Sequence, residues 1–521
     1  MIHRISTPHP IDLDAIPVLP LSMPYLPILP SPFLTWLLFL GAILGLLALS
    51  EWLSAKIGMQ PENSRQLVHV IVGVFIFLCR FIFLEPLFPI ITGLIFIVVN
   101  LVTLRAGRFE SMHATNRVSY GTVYFPVSFV ILALLFWHRD PIALQIGILL
   151  LAFADPIASW IGTRYGRTQF TLWRDPKSPA GTSAMFVASL ILPLAGFLLL
   201  LPMSGESPLT LPALLLALIP LAALATLAEA QSYRGSDNLS VPLSAALFVF
   251  LFRSLGPTDY LHYLLWTAGS GALLALAARM KALAPSGALT AWGIGLLIYL
   301  AGGWLWVIPI VAFFLLSSLL TRLSPGAAAA PNPDTRHAGK RNLIQVIANG
   351  GVPLLVAAAF GIWGHDHLYI VFLAALAAAT ADTWGTEIGG WQKRLPRNII
   401  NWQPVPKGES GGITLAGTLG ALAGAACLAG IGVLLRPDLI GFDHWLSITL
   451  IGFLAAAIDS VLGATVQVRY LIYDTSQIIE DRTKTELETV LHSGWWWLDN
   501  NMVNLVCTGS GAVLGLLWIL N

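Results

Sequence analysis

The most restrictive feature of this 521-residue chain is a succession of long apolar stretches separated by short polar loops. A helix needs roughly 20 apolar residues to cross the hydrocarbon core of a bilayer. Stretches that approach this length lie near residues 33–50, 67–84, 86–104, 122–138, 142–162, 182–201, 211–229, 240–256, 259–279, 285–302, 303–320, 344–363, 367–388, 411–435, 444–466 and 502–520. The pattern predicts an all-α, polytopic transmembrane protein with about sixteen helical spans.

The composition agrees with a membrane protein and excludes several other classes. Hydrophobic residues make up 56% of the chain and charged residues 11%, whereas soluble proteins are about one quarter charged. The 28 basic and 27 acidic residues nearly cancel, which argues against a nucleic-acid-binding protein and against a disordered chain. Cys79, Cys427 and Cys507 lie in apolar stretches without a C-x-x-C motif, so we expect buried thiols rather than disulfides or a zinc site.

The distribution of lysine and arginine predicts the orientation of the spans. When the spans alternate across the membrane, most basic residues fall in the loops after odd-numbered spans. Basic loops stay in the cytoplasm, so we predict that both termini lie outside and that the active sites lie at the cytoplasmic face. We expect the membrane to be a prokaryotic cell membrane, and we expect residues 1–32 to form an N-terminal extension. Residues 1–32 lack a signal-peptide pattern, because the apolar run that follows them is long enough to span.

Two sets of polar residues occur in the same order along the chain. The first set is Arg65, His69, Asp155, Lys177, Gly181, Glu229, Asp237 and Asn238, and the second is Arg341, Gln345, Asp382, Lys407, Gly411, Asp459, Asp499 and Asn500. The interval from Lys177 to Glu229 equals the interval from Lys407 to Asp459. We therefore predict two tandem membrane modules, at 33–257 and 258–521.

The residue types in both sets are those that bind a polyphosphate. Lysine and arginine neutralise phosphate oxygens, and carboxylates hold Mg²⁺. Ionisable groups inside a membrane are costly and usually functional, so we expect Asp155, Glu229, Asp382, Glu387 and Asp459 to be catalytic. All of these except Glu387 are also candidate Mg²⁺ ligands. Gly181-Thr182 and Gly411-Gly412 are each expected to open a helix whose N-terminus favours an anion.

Structural roles are the alternative for the same residues. Asp155 and Asp382 would then be helix-end residues solvated at the membrane interface, and Lys177 and Lys407 would only signal orientation. The sequence contains no P-loop, protein-kinase motif or H-E-x-x-H motif. Any nucleotide must therefore bind on the membrane modules, and the natural second substrate is a lipid.

Motifs of the first module match a known family over about residues 60–256. They are Arg65-x-x-x-His69, Tyr120-Gly121, Asp155-Pro-Ile-Ala-Ser159, Lys177-Ser178-x-x-Gly181-Thr182 and Glu229-Ala-x-Ser-x-Arg-Gly235-x-Asp237-Asn238. The module resembles the polyprenol kinase family, which includes dolichol kinase and phytol kinase. That family phosphorylates long isoprenoid alcohols with CTP and Mg²⁺. The resemblance implies nucleotide or phosphate contacts from Arg65, His69, Lys177, Ser178, Gly181, Asp237 and Asn238.

Motifs of the second module match another family over about residues 260–520. They include Arg341-x-x-x-Gln345-Val-x-Ala-Asn349, Ala381-Asp382-Thr-Trp-Gly-Thr-Glu387, Lys407-Gly408-x-x-Gly411-Gly412, Asp459-Ser460 and Asn500-Asn501-x-Val503-Asn504. The module resembles the membrane family that contains phytyl-phosphate kinase. This implies nucleotide or phosphate contacts from Arg341, Gln345, Asn349, Lys407, Gly411, Gly412, Asp499, Asn500 and Asn504. The family's usual Gly-Thr after the lysine reads Gly408-Glu409 here.

The two resemblances together imply a fusion of two kinases. The first module would convert an isoprenoid alcohol, such as phytol or geranylgeraniol, to its monophosphate, and the second would make the diphosphate. Expected partners are these lipids, a nucleoside triphosphate and the bilayer, without nucleic acid. A CTP-dependent cytidylyltransferase acting on a lipid phosphate is the nearest alternative. A transporter is a further one, although transport sites lie near the bilayer midplane.

Overall fold

The computed structural model describes residues 24–59, 61–106, 119–280, 282–323, 341–473, 478–482 and 487–520. Residues 1–23 of the predicted extension lie outside this part of the chain. The chain divides into two compact units, Met1–Leu265 and Trp266–Asn521. The predicted all-α, polytopic membrane fold is confirmed, since long apolar helices make up most of both units.

The described part of the first unit is helical. Its helices are α1 (Pro32–Ile57), α2 (Pro61–Ile82), α3 (Leu87–Ala106), α4 (Gly121–Phe136), α5 (Pro141–Leu149), α6 (Asp155–Tyr165), α7 (Pro179–Met203), α8 (Leu211–Ala230) and α9 (Asp237–Arg253). A π-helical segment, Leu150–Ala154, joins α5 to α6 without a break. A 3₁₀ turn, Pro257–Asp259, precedes α10 (Tyr260–Arg279), which contains the division between the units.

The second unit combines long helices with short strands. Its helices are α11 (Pro285–Leu323), α12 (Leu343–Trp363), α13 (Leu368–Trp391), α14 (Leu415–Leu435), α15 (Phe442–Thr465) and α16 (Asn500–Leu520). The strands are β1 (Arg397–Asn398), β2 (Gly412–Ile413), β3 (Arg469–Ile472), β4 (Ile478–Ile479) and β5 (Thr489–Ser493). β1 pairs antiparallel with β2, and β3 lies between β4 and β5 in an antiparallel sheet.

Thirteen helices in the described residues are long and apolar enough to cross a membrane, three fewer than the sixteen expected spans. Two expected spans, 285–302 and 303–320, form the single helix α11, which bends at Gly303 because that residue has φ 66°. Gly121–Phe136 is apolar but has only 16 residues, a rise of ~24 Å. α9 is also short, at 17 residues.

Each unit is built around one helix that is almost enclosed by its neighbours. Pro141–Tyr165 comprises α5, the π-helical segment and α6, and 72% of the residues in an apolar 18-residue stretch of it are buried. The same share is buried in such a stretch of Leu368–Trp391. In the other spans the share is at most 44%. Asp155 and Asp382 lie on these two central helices. The carboxylates therefore lie on the most protected helix of each unit.

Polar caps determine where several spans begin. Ser178 accepts a hydrogen bond from the Gly181 amide at 3.1 Å, and Pro179 follows it as the first residue of α7. This confirms that Gly181-Thr182 opens a helix. The matching expectation for Gly411-Gly412 is wrong, because Gly412 lies in β2 and α14 begins only at Leu415. Thr414 is the cap there, and its hydroxyl accepts from the Gly417 amide at 3.0 Å.

Glycines bring the central helices close to the helices that follow them. A Cβ on Gly162 of α6 would lie 3.3 Å from the Cα of Gly181 in α7. In the second unit a Cβ on Gly417 of α14 would lie 2.7 Å from the carbonyl oxygen of Gly385 in α13. Small residues allow such close backbone approach between membrane helices. The capped helix start is therefore held beside the central helix in both units.

Candidate active site

A cavity of about 1160 Å³ lies within the first unit. Its lining includes every residue of the first unit that the sequence nominates for the site: Arg65, His69, Asp155, Lys177, Ser178, Gly181, Glu229, Asp237 and Asn238. These residues come from α2, α6, the loop before α7, α7 itself, α8 and α9. Residues that are far apart in the sequence thus share one cavity.

The charged end of the cavity is organised around Lys177. Its Nζ lies 2.5 Å from Glu229 Oε1 and 3.7 Å from Asp237 Oδ2. Lys177 also donates to the hydroxyl of Ser232 at 3.0 Å, and Ser232 donates in turn to Asp237 Oδ2 at 2.9 Å. The three charged side chains are 17%, 9% and 13% exposed. One cation and two carboxylates are therefore fixed in a largely buried network.

The electrostatic surroundings keep Lys177 positively charged. Burial by itself lowers the pKa of Lys177, but the carboxylates of Asp237 and Glu229 outweigh burial and raise the pKa above its ordinary value. The hydrogen bond that Lys177 donates to Glu229 also raises this pKa. A permanently protonated ammonium at this position is suited to binding phosphate oxygens.

Asp155 follows the π-helical segment of the central helix. Pro156 lacks the amide that would bond to the carbonyl four residues earlier, and π-helical turns often occur at functional sites. The imidazole Nε2 of His69 donates to the Leu151 carbonyl in this segment at 2.7 Å. Asp155 interacts electrostatically with Asp237, Lys177, Glu229 and Arg65. The distorted segment therefore places Asp155 within the charged end of the cavity.

The rest of the cavity is apolar and lies between α1, α2, α3 and α4. The apolar lining residues on these helices include Phe39, Ile43 and Leu47 on α1, Val72, Ile76 and Cys79 on α2, Pro89, Gly93 and Phe96 on α3, and Phe125 and Phe129 on α4, and the polar exceptions on α3 are Thr92 and Asn100. Their spacing of three or four residues places them on one face of each helix. The cavity is thus polar at one end and apolar along the remainder.

The second unit brings two of its predicted carboxylates together. Asp382 on α13 and Asp459 on α15 interact electrostatically. The Oδ2 atom of Asp459 is buried, and the structure gives it no hydrogen-bond partner. Two interacting carboxylates, one with an unsatisfied oxygen, are a candidate cation site.

Arg341 and Glu387 form a second group of charges in this unit. Burial lowers the pKa of Arg341, and the carboxylate of Glu387 partly offsets this effect. Glu387 Oε1 also accepts a hydrogen bond from the hydroxyl of Thr321 at 2.7 Å. The predicted cation and carboxylate therefore interact with each other.

Lys407 differs from Lys177 in its surroundings. It is exposed, and its Nζ donates to the Gln392 carbonyl at 2.6 Å. Lys177 immediately precedes the cap of α7, whereas Lys407 lies seven residues before Thr414, the cap of α14. Part of the intervening chain forms β2, so the loop geometry of the first unit is not repeated.

Several other predicted residues of the second unit take part in helix starts. The Gln345 amide donates to the Asn342 side chain at the start of α12, and Asn349 Nδ2 donates to the Gln345 carbonyl. Asp499 accepts from the Met502 amide at the start of α16, which begins at Asn500. The Asn504 carbonyl accepts a hydrogen bond from Thr508. A shallow groove of about 400 Å³ in this unit is lined by none of the nominated residues.

Sequence reasoning missed some members of these networks. Ser232 bridges Lys177 and Asp237, and its position between Glu229 and Asp237 is the available signal. In the second unit, Glu480 accepts hydrogen bonds from the amide and hydroxyl of Ser410. Arg469 donates to Glu409 at 3.1 Å. No sequence motif indicated these last contacts, because they join the loop before α14 to the region of the β3–β5 sheet, which is far away in the sequence.

The fold and the cavity define an integral membrane protein with an amphipathic binding chamber in its first unit. Residues 268–512 match the family described as Integral membrane protein DUF92. The chain is 30% identical over 222 residues to an uncharacterized membrane protein of Methanocaldococcus jannaschii, covering 43% of this chain and 79% of that protein. It is 29% identical over 253 residues to an uncharacterized membrane protein of Synechocystis, covering 47% of this chain and 86% of the relative.

A third relative has a named activity. The chain is 30% identical over 209 residues to a protein of Synechocystis named phytol kinase. The match covers 40% of this chain and 87% of that protein. The chain belongs to the phytol-kinase-like family of integral membrane proteins. No solved structure matches it.

Proposed function

We propose that the protein is a bifunctional membrane kinase of isoprenoid lipids. The first unit transfers a phosphoryl group from CTP to an alcohol such as phytol or geranylgeraniol, and the second unit phosphorylates the resulting monophosphate. The observation that carries the proposal is the cavity in the first unit, which combines a charged end with a mostly apolar remainder. A charged phosphoryl donor and an apolar lipid acceptor need those two environments side by side.

The charged end has groups suited to phosphoryl transfer, in which a protein mainly positions the reactants and stabilises charge. Lys177 and Arg65 would bind phosphate oxygens of the nucleotide. Asp155 would accept the proton of the alcohol hydroxyl as its oxygen attacks the terminal phosphorus. The bond between that phosphorus and CDP breaks, which leaves CDP and the lipid monophosphate.

The donor atoms at this end fit Mg²⁺. Glu229 Oε2 and Asn238 Oδ1 are buried without a hydrogen-bond partner. Across the described ranges, no three His, Cys, Asp or Glu side chains form a ready-made metal cage. Mg²⁺ commonly takes one or two carboxylates together with substrate phosphates and water. Asp155 and Glu229 would hold such an ion, which would neutralise charge on the transferred phosphoryl group.

The second reaction is supported by a smaller set of contacts. Asp382 lies on the central helix of its unit, as Asp155 does, and interacts with Asp459. These two carboxylates would hold Mg²⁺, while Arg341, which interacts with Glu387, would bind a phosphate. The acceptor in this step is a lipid phosphate rather than a hydroxyl.

A variant series with labelled CTP and phytol tests the assignment of the two steps. Asp155→Asn should form no monophosphate from phytol but should still convert supplied phytyl monophosphate. Asp382→Asn should accumulate the monophosphate. Glu85→Gln is the control, because Glu85 is exposed and bonded to His138 outside the cavity. Normal first-step activity in Asp155→Asn would refute the assignment.

Product analysis separates the kinase from a cytidylyltransferase. A kinase releases CDP and leaves a phosphorylated lipid, whereas cytidylyl transfer releases diphosphate and leaves a CDP-lipid. The same reaction mixtures, resolved by chromatography, distinguish these products. Formation of a CDP-lipid would replace the proposed activity with the alternative one.

A further inference from the structure

At the end of the first-unit cavity away from the charged groups, the lining stops at Phe39 on α1 and at Cys79 on α2. The ring of Phe39 packs against Phe75 at 5.3 Å and against Phe83 at 5.5 Å. Phe39, Cys79 and Phe83 are 5%, 2% and 3% exposed. The lining therefore ends on both helices among buried, closely packed side chains.

The helices that line the cavity give its length. Arg65 and Cys79 are fourteen residues apart on α2, a distance of ~21 Å at the helical rise. Phe39 and Glu51 are twelve residues apart on α1, or ~18 Å. Both pairs line the cavity, and each runs from the Phe39–Cys79 end towards the charged end. The estimates from the two helices are similar and give the cavity, or chamber, a length of roughly 20 Å.

This length limits the chain that can lie in the chamber. An extended chain advances ~1.2 Å per bond, because a residue of three backbone bonds spans about 3.5 Å. A chamber of roughly 20 Å therefore holds about sixteen bonds. Each isoprene unit contributes four main-chain bonds, so the chamber accommodates four isoprene units with the hydroxyl at the charged end.

We propose that Phe39 and Cys79 form a stop that sets the upper length of the isoprenoid chain at four units. The inference rests on the proposed function for the identity of the ligand, but the stop itself is a property of the chamber. A longer alcohol would have to fold back or leave part of its chain outside the chamber, and the carbons left outside would not be buried. The stop thus selects the substrate by length rather than by head group.

Binding of alcohols with two, three, four and six isoprene units to the purified full chain tests the stop. Native mass spectrometry without nucleotide measures binding independently of catalysis. Affinity should rise up to four units and then fall. Cys79→Phe should weaken the four-unit alcohol about tenfold relative to the two-unit alcohol, because part of the chain loses its buried site. Phe39→Ala should shift the preference towards six units.

Leu78→Phe is the matched control for Cys79→Phe. Leu78 is the neighbouring residue on α2, is 40% exposed and does not line the cavity, so this variant should keep the unmodified length profile. Identical profiles for Cys79→Phe and Leu78→Phe, together with an unchanged preference in Phe39→Ala, would overturn the proposal. Length-dependent binding without phosphorylation of any alcohol would contradict the proposed kinase and leave the stop standing.

Discussion

The two units share a central buried helix with an aspartate, but they differ in what surrounds it. In the first unit the loop lysine, Lys177, contacts Glu229 and lines a cavity with Asp155. In the second unit Lys407 is exposed and bonded to a backbone carbonyl. The difference follows from the segment before the capped helix, which is short in one unit and contains a strand in the other. Matching residue order therefore does not guarantee matching geometry.

The sharpest test of this difference compares Lys177→Met with Lys407→Met. Lys177→Met leaves Glu229 and Asp237 buried without their cation, so phosphorylation of the alcohol should fall at least about a hundredfold. Lys407→Met should change the second step by less than about threefold, because an exposed lysine contributes little to a fixed site. Rates are measured with labelled CTP. Equal losses in both variants would show that the two lysines are equivalent.

A second comparison concerns charge pairs outside the candidate sites. In the first unit, Arg253 donates to Asp140 at 2.9 Å and to Glu206 at 2.8 Å, with exposures of 12%, 7% and 26%. Arg253→Met should lower the free energy of unfolding by about 3 kcal/mol, because it leaves the buried carboxylate of Asp140 without its cation. Thermal unfolding in detergent measures this loss. A decrease in Tm no larger than the decrease caused by removing an exposed ion pair would contradict this prediction.

The glycine contacts of the central helices predict an effect of moderate size. Gly417→Ala would place a Cβ 2.7 Å from the Gly385 carbonyl and should destabilise the protein by about 1–3 kcal/mol. Gly390→Ala on α13 is the control, because its added Cβ meets nothing within 4 Å. Thermal unfolding compares the two variants. A similar Tm for both would mean that α13 and α14 are not closely packed.

The smallest expected effect is the pH dependence of an exposed pair in the second unit. The hydrogen bond from Arg436 lowers the pKa of Asp438 below its ordinary value. The stabilisation from this ion pair is therefore present at neutral pH and is lost as the pH falls through the lowered pKa of Asp438. Asp438→Asn should change the Tm by at most a degree or two at pH 7, since such pairs contribute about 0–1 kcal/mol. Under strongly acidic conditions the unmodified protein and Asp438→Asn should have the same Tm.

The sequence was sufficient to predict the helical membrane fold, and the residues it nominated in the first module line one cavity, although it missed Ser232. Apolar runs predict spans by length, and ionisable residues such as Asp155 are costly in a membrane, which makes them candidates for a functional role. The sequence could not predict that α11 continues through Gly303, because a glycine tolerates a kink as readily as a chain break. It also could not predict the position of Lys407, because loop geometry depends on pairing between β1 and β2.

The π-helical segment before Asp155 has a consequence for insertions and deletions. One residue turns an α-helix by about 100°, so a wider turn resets the direction of every side chain after it. A π-helical turn holds about one residue more than an α-helical turn, so removing one residue from Leu150–Ala154 would close the wide turn to a regular one and leave Asp155 directed at its companions. The same deletion before Asp382 would rotate that side chain away from Asp459, because α13 reaches Asp382 through regular α-helix and has no wide turn that absorbs the change.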